Sequence, residues 1–229
     1  MGNMCSCIPQ IRRSPSNNHP LAKVFEGVAV LWDGEPDGRG KEAAAALRAA
    51  IPKLPVTKPR EPDFDEHVRE VLREENSELS MVILEVYKHI NWAFSGASLP
   101  MPKGVGDACL TAELLGPDGM VKHQTIRVGL FFQEKNLIYP IRKHEAEEAY
   151  CMIAGTAEWY YEGTKNVWKK RGEYRHHLSM MGHASFTKER SFIATWRWCG
   201  NITADSYECE DPEDIDNLEE IKKHSQPTT

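Results

Sequence analysis

The chain has 229 residues and a formal net charge of −6, with 41% hydrophobic and 27% charged residues. That length suits one substantial domain with extensions, the apolar share is enough for a core, and the acidic balance excludes a general attraction to nucleic acid. The six cysteines, at positions 5, 7, 109, 151, 199 and 209, form no C-x-x-C pair; a disulfide framework is not expected, and reduced thiols in an intracellular, cytoplasmic compartment are. No apolar run is long enough to span a bilayer, and no signal-peptide core is present.

In chain order, residues 1–22 read as a flexible leader. It opens MGNMCSC, where Gly2 followed by Ser6 matches the N-myristoylation pattern and Cys5 and Cys7 stand where palmitoyl groups are added. Two acyl groups would tether the protein to a membrane, which a myristoyl chain alone does only weakly. The alternative is a disordered leader with chance residues.

Residues 23–99 read as a helical segment. An alanine-rich helix is expected over Glu42–Ala50, stopped by Pro52, with a proline-marked linker to Pro62. Asp63 or Asp65 can cap a helix carrying Val68, Val71 and Leu72. Another helix starts near Ser77, with Leu79, Val82, Ile83, Val86 and Ile90 on one face.

From residue 100 to 207 short apolar runs alternate with turn signals: ACLTAELL, GPDG, HQTIRVGLFF, QEKN, LIYPI, YCMIAGTAEWYY, EGTKN, VWKKR and SFIATWRW. Aromatic and β-branched strands at this spacing predict a mainly β architecture, an antiparallel barrel or sandwich. Residues 208–229 form an acidic, polar tail with one short helix expected near Ile215–Lys223.

The densest chemistry lies in YPIRKHEAEEAYCMIAG, Tyr139–Gly155. His144 and Glu148 brought together suit zinc, iron(II) or manganese; a solvated acidic turn with a surface histidine is the alternative. Far downstream, His183 lies between a turn and a strong strand, and a small barrel brings such positions together at its mouth. A His–Glu–His set leaves coordination places for substrate or water, the layout of a catalytic metal site. His176 and His177 compete for the third place.

The run H-x-x-x-E-x-x-x-x-x-x-G, here His144, Glu148 and Gly155, resembles most of the first cupin motif. YPIRKHEAEEAY, GTAEW, GHASFT and ATWRWCGNI, in that order, resemble the cupin-type dimethylsulfoniopropionate (DMSP) lyases over roughly Ala112–Tyr207. The resemblance implies a cupin barrel, a double-stranded β-helix or jelly roll, with a helical N-terminal extension. It also implies a carbon–sulfur lyase that splits DMSP into dimethyl sulfide and acrylate by β-elimination, with a divalent metal as cofactor. Two departures stand out. Arg142 occupies the place of the motif's first histidine, and in the second motif Leu178 and Met180 replace the usual proline and glycine, leaving His183 aligned.

The ligands implied are then His144, Glu148 and His183, with Arg142 beside them to pair with the substrate carboxylate. Elimination needs a base, and a tyrosine near ~10 becomes one when a neighbouring cation stabilises its phenolate; Tyr150 is the first choice and Tyr139 the second. For the sulfonium end, aromatic faces serve by cation–π attraction, and Trp159, Trp196 and Trp198 are candidates, with Tyr160 and Phe131. Strand alternation puts Trp196 and Trp198 on one face. Competing readings on the same scaffold are another cupin metalloenzyme, a dioxygenase or isomerase, and a membrane-tethered cupin that binds without catalysis. A homo-oligomer is compatible with each.

Overall fold

The computed structural model describes residues 19–36, 38–60, 65–97, 99–102, 104–161 and 166–210. The acylation motif at Gly2, Cys5 and Cys7 and the tail helix expected near residues 215–223 lie outside them. Four α-helices precede the strands: α1 (Ala22–Asp33), α2 (Gly40–Ala50), α3 (Asp65–Glu75) and α4 (Glu78–Val86).

Local chemistry sets their ends. In α2 an alanine run carries Glu42 in its first turn and Arg48 in its last, each complementing the helix dipole. Its α-helical run gives way at Ile51 to a single 3-10 turn that includes Pro52. The Ser77 hydroxyl caps α4 by accepting the Ser80 N–H at 3.2 Å. That helix ends at Val86 and tightens into a 3-10 turn over Tyr87–His89, so the stripe expected to run on to Ile90 is shared between two elements. The expected helices left α1 unnamed. It buries Val24, Phe25, Val28, Ala29 and Trp32 along one face, each large side chain contributing roughly 1.5–3 kcal/mol.

The remainder is a curled, mainly antiparallel sheet of eleven described strands: β1 (Ala93–Phe94), β2 (Cys109–Gly116), β3 (Val121–Lys122), β4 (Ile126–Gln133), β5 (Ile138–Lys143), β6 (Ala146–Tyr161), β7 (Val167–Lys170), β8 (Tyr174–His177), β9 (His183–Phe186), β10 (Phe192–Gly200) and β11 (Glu208–Cys209). Neighbours run β1-β2-β4-β10-β6-β9-β5-β11, with β7 and β8 also paired to β6 and β3 to β2. The sixteen-residue β6 therefore binds the architecture together: its first half pairs with β10 and β8, its second with β7 and β9.

Alternation along β10 separates two cores. Phe192, Ala194, Trp196 and Trp198 face inward with Phe131, Tyr139, Tyr150, Met152 and Trp159. Ile193 and Cys199 face outward with Val128, Leu130, Phe132, Ala149, Cys151 and Ile153, and the helices cover that surface. The result is the mainly β fold with a helical N-terminal side that the sequence predicts. One boundary differs: Glu208–Cys209, read as the start of a solvated tail, forms β11 and pairs with Lys143 and Arg142 of β5.

Candidate metal centre and its cavity

The inner face opens onto a cavity of about 290 Å³ whose wall includes Phe131, Tyr139, Arg142, Glu148, Tyr150, Trp196, Trp198 and Tyr207. β5 supplies Tyr139 and Arg142, the turn after it His144, β6 Glu148 and Tyr150, β9 His183 and β10 the two tryptophans. Register does the assembly: Arg142 opposes His183, Glu148 opposes Trp198, and Tyr150 opposes Trp196. Glu148 and Tyr150, two apart on β6, share the inward face.

His144, Glu148 and His183 converge, each offering a ligand atom within 4.8 Å of the others. The Glu148 Oε2 lies 2.9 Å from His183 Nε2 and 3.4 Å from His144 Nε2. Each imidazole turns its other nitrogen to a backbone carbonyl: His144 Nδ1 to Ala146 at 3.0 Å, and His183 Nδ1 to Met181 at 2.8 Å. These bonds fix the rings so that both Nε2 atoms face the carboxylate, the arrangement that presents neutral imidazole lone pairs to a metal. The Trp198 indole N–H donates to the other carboxylate oxygen, Oε1, at 2.7 Å and holds Glu148 in place. The residues fit a divalent cation. All three are almost wholly buried, which removes the alternative of a solvated acidic turn.

Burial opposes ionisation of Glu148, but the adjoining His144 and His183 rings outweigh it and hold the carboxyl well below its usual range. Burial, reinforced by the Arg142 charge, pushes His183 down to about 4, so its imidazole is neutral near pH 7. Tyr150 is driven well above the ordinary phenol value by burial and by Glu148, with Arg142 pulling the other way. Tyr139 rises chiefly through burial.

Arg142 is the unusual member. It is 2% exposed and has no ion pair among the described residues. Its guanidinium lies 3.9 Å from the centre of the Tyr139 ring, and its N–H groups make only long contacts, 3.4 Å to the Tyr150 hydroxyl and 3.4 Å to the His183 carbonyl. A buried cation facing a cavity without an anion is costly unless a ligand supplies one.

Trp196 and Trp198 line the cavity, as does Phe131. Trp159 does not: it is fully buried, with its ring centre 4.6 Å from that of Tyr150, so its place is behind the wall and the sulfonium role assigned to it from sequence is dropped. His176 points outward to Glu147 at 3.0 Å. His177, fully buried, stacks on His183 with ring centres 4.1 Å apart, yet its Nδ1 is 3.8 Å from Glu148. Parallel rings cannot direct in-plane lone pairs at one ion, so His177 supports His183 rather than replacing it. Tyr207 was not anticipated. It sits past the last strong strand, where no spacing marks it, and lines the cavity with its hydroxyl 2.7 Å from that of Tyr139.

Residues 40–194 match the family model for dimethylsulfoniopropionate lyases. A curated relative, dimethylsulfoniopropionate lyase DddQ of Ruegeria pomeroyi, is 32% identical over 89 residues, 39% of this chain and 44% of that protein. The aligned part thus spans less than half the length of this relative. A crystal structure described as that of DMSP lyases RdDddP and RnDddQII superposes with a TM-score of 0.62 at 19% identity, covering 86% of this chain and 100% of the other. DMSP lyase DddQ from Ruegeria pomeroyi superposes at 0.61 and 19%, over 86% and 99%. At that identity the structural likeness shows the fold alone, the cupin fold implied by the motif. The family match begins inside the helical segment, well before the Ala112 limit read from sequence, and ends within β10. It takes in more than half of the chain, including Arg142, His144, Glu148, Tyr150 and His183, and the chain therefore belongs to the dimethylsulfoniopropionate lyase family.

Proposed function

We propose that the protein is a metal-dependent carbon–sulfur lyase that cleaves DMSP by β-elimination. The observation that carries this reading is Arg142: a buried guanidinium without an ion pair among the described residues, beside a tyrosine hydroxyl at a cavity that Glu148 of the His–Glu–His cluster also lines. It supplies a seat for a carboxylate next to a candidate base.

DMSP joins a carboxylate to a sulfonium cation. The carboxylate pairs with Arg142, and the sulfonium lies against the faces of Trp196 and Trp198. Tyr150, as phenolate, takes a proton from the carbon next to the carboxylate, with Tyr139 as the second choice. The electron pair left on that carbon forms the new double bond as the carbon–sulfur bond breaks; sulfur leaves as neutral dimethyl sulfide, and acrylate and one proton remain. Arg142 donates towards the Tyr150 oxygen and favours the phenolate. A divalent ion held by His144, Glu148 and His183 would supply Lewis-acid charge to the carboxylate and offset the Glu148 charge that raises Tyr150. Zinc, iron(II) and manganese all suit that donor set.

The reading is tested by loading purified protein with each metal, supplying DMSP, and measuring bound metal and headspace dimethyl sulfide for wild type and His144→Ala. Wild-type release lost together with metal in the variant is the expected outcome. Metal retained by wild type without dimethyl sulfide would favour another cupin metalloenzyme, with oxygen uptake separating a dioxygenase. No metal at all would favour a binding protein.

We further propose that the leader 1–22 is acylated at Gly2 and at Cys5 or Cys7 and holds a cytoplasmic enzyme at a membrane. Among the described residues no helix is long and apolar enough to cross one. Labelling with a myristate analogue in eukaryotic cells, against Gly2→Ala, is the check.

A further inference from the structure

Beyond the family match, which ends at residue 194, the chain returns over the candidate centre. Residues 201–210 form a strap fastened at several points. The Asn201 side chain donates to the Glu145 carboxylate, the Arg127 guanidinium donates to the Ile202 carbonyl at 2.9 Å, and the Glu145 N–H donates to the Ser206 hydroxyl at 3.0 Å. β11 then pairs with β5, and the Glu210 N–H donates to the Ile141 carbonyl at 2.9 Å. These bonds hold Tyr207, 6% exposed, against the cavity.

Its two ends touch different parts of the site. The ring stacks on His144 at 5.8 Å between centres with an interplanar angle of 10°, and it lies 6.5 Å from Trp198, the residue that holds Glu148. The hydroxyl meets the Tyr139 hydroxyl at 2.7 Å, and Tyr139 in turn carries Arg142 over its ring. One side chain therefore abuts a metal-ligand candidate and the tyrosine beneath the carboxylate seat.

We infer that Tyr207 is a positioning residue: its ring fixes the His144 imidazole, and its hydroxyl fixes Tyr139 and, through it, Arg142. The kinetic half of this inference rests on the lyase reading; the metal half does not. Its two halves are separable by substitution. Tyr207→Phe keeps the ring and removes the hydroxyl, whereas Tyr207→Leu removes the stack.

The experiment is a competition titration of Zn2+ against a chromophoric chelator, with steady-state kinetics on DMSP, for wild type and both variants. Losing a partner that orients a ligand costs about tenfold or more. Tyr207→Leu is therefore expected to bind Zn2+ at least about tenfold more weakly. Tyr207→Phe is expected to keep wild-type Zn2+ affinity while kcat falls about tenfold and KM rises, since Arg142 seats the substrate carboxylate. Unchanged Zn2+ affinity in Tyr207→Leu, or unchanged kcat in Tyr207→Phe, overturns the inference. A Tyr207→Leu protein too unstable to titrate leaves the Phe variant to decide, since a phenylalanine keeps the packing. Wild type that binds Zn2+ but releases no dimethyl sulfide sinks the lyase reading, while the Zn2+ comparison still stands or falls by itself.

Discussion

Two backbone positions show what the motif residues do physically. Gly155 ends the His–Glu–Gly pattern with φ +74°, and a Cβ there would meet the Ser191 carbonyl oxygen at 2.2 Å. The glycine thus lets β10 close against β6 at the bend where β6 changes partners. Gly155→Ala combines left-handed strain with a backbone clash and is expected to destabilise by more than about 1 kcal/mol, read from denaturant unfolding; an unchanged midpoint would remove this explanation. Met180 illustrates the same rule broken: it stands where glycine is common in the second motif and adopts φ +60°, its N–H bonded to the His144 carbonyl at 2.8 Å. The strand-to-strand turn survives without the glycine, which is why His183 still reaches the cluster despite a motif unreadable around it.

Charge at the residue scale gives a pH prediction. His183 is pushed to about 4 in the folded protein, against roughly 6.5 when exposed. Between those values the unfolded chain binds the extra proton and the folded one does not, so acidification through this window favours unfolding. Glu148, held below its usual range, adds to the loss as pH falls further. For metal-free protein, unfolding free energy should drop by roughly 3 kcal/mol from pH 6.5 to 4 on account of His183. His183→Asn should flatten that slope, and equal slopes for both proteins would refute the cause given.

Among elements, β10 was the most readable. SFIATWRW alternates, and the alternation alone puts Trp196 and Trp198 together on the inner face. His144 in the turn after β5 and Glu148 and Tyr150 of β6 were legible because they lie within one short stretch. Trp159 shares the inner core with Tyr150 and packs against its ring but does not line the cavity, a distinction that residue type alone does not carry. Helix α1, which packs chiefly on α2 and then on α4, was missed because no capping side chain marks its start.

The same helix explains a polar residue on the outward face of β10. Arg197, fully buried, pairs with Glu35 just past α1 at 2.6 Å and 2.8 Å, and with Glu147 at 2.9 Å. Removing one partner of such a pair leaves an uncompensated buried charge. Arg197→Ala should cost about 3–5 kcal/mol, whereas the double replacement Arg197→Met, Glu35→Leu should recover most of it. Thermal melting of both variants tests this, and a single variant as stable as wild type would deny the pair its role.

At the level of the whole molecule the helices and the sheet divide the work. Helices α1 to α4 cover the outer surface of the sheet and leave the inner face open as a cavity lined by Arg142, Glu148 and aromatic side chains. The overall class was legible because strand period and helix period occupy separate halves of the sequence. What lies from residue 207 on was not: nothing marked Tyr207 as part of the site, and the acidic composition of the tail from residue 208 gave no hint that its first residues pair with β5. Pairings between distant segments leave little trace in local pattern.

The most direct single measurement compares dimethyl sulfide release by metal-loaded wild type and Tyr150→Phe under nitrogen, from DMSP carrying hydrogen or deuterium on the carbon next to the carboxylate. Oxygen-independent release that slows on deuteration in wild type and falls at least about a hundredfold in the variant, the scale of a lost general base, is the expected result. Undiminished release by Tyr150→Phe, or none from metal-loaded wild type, would contradict it.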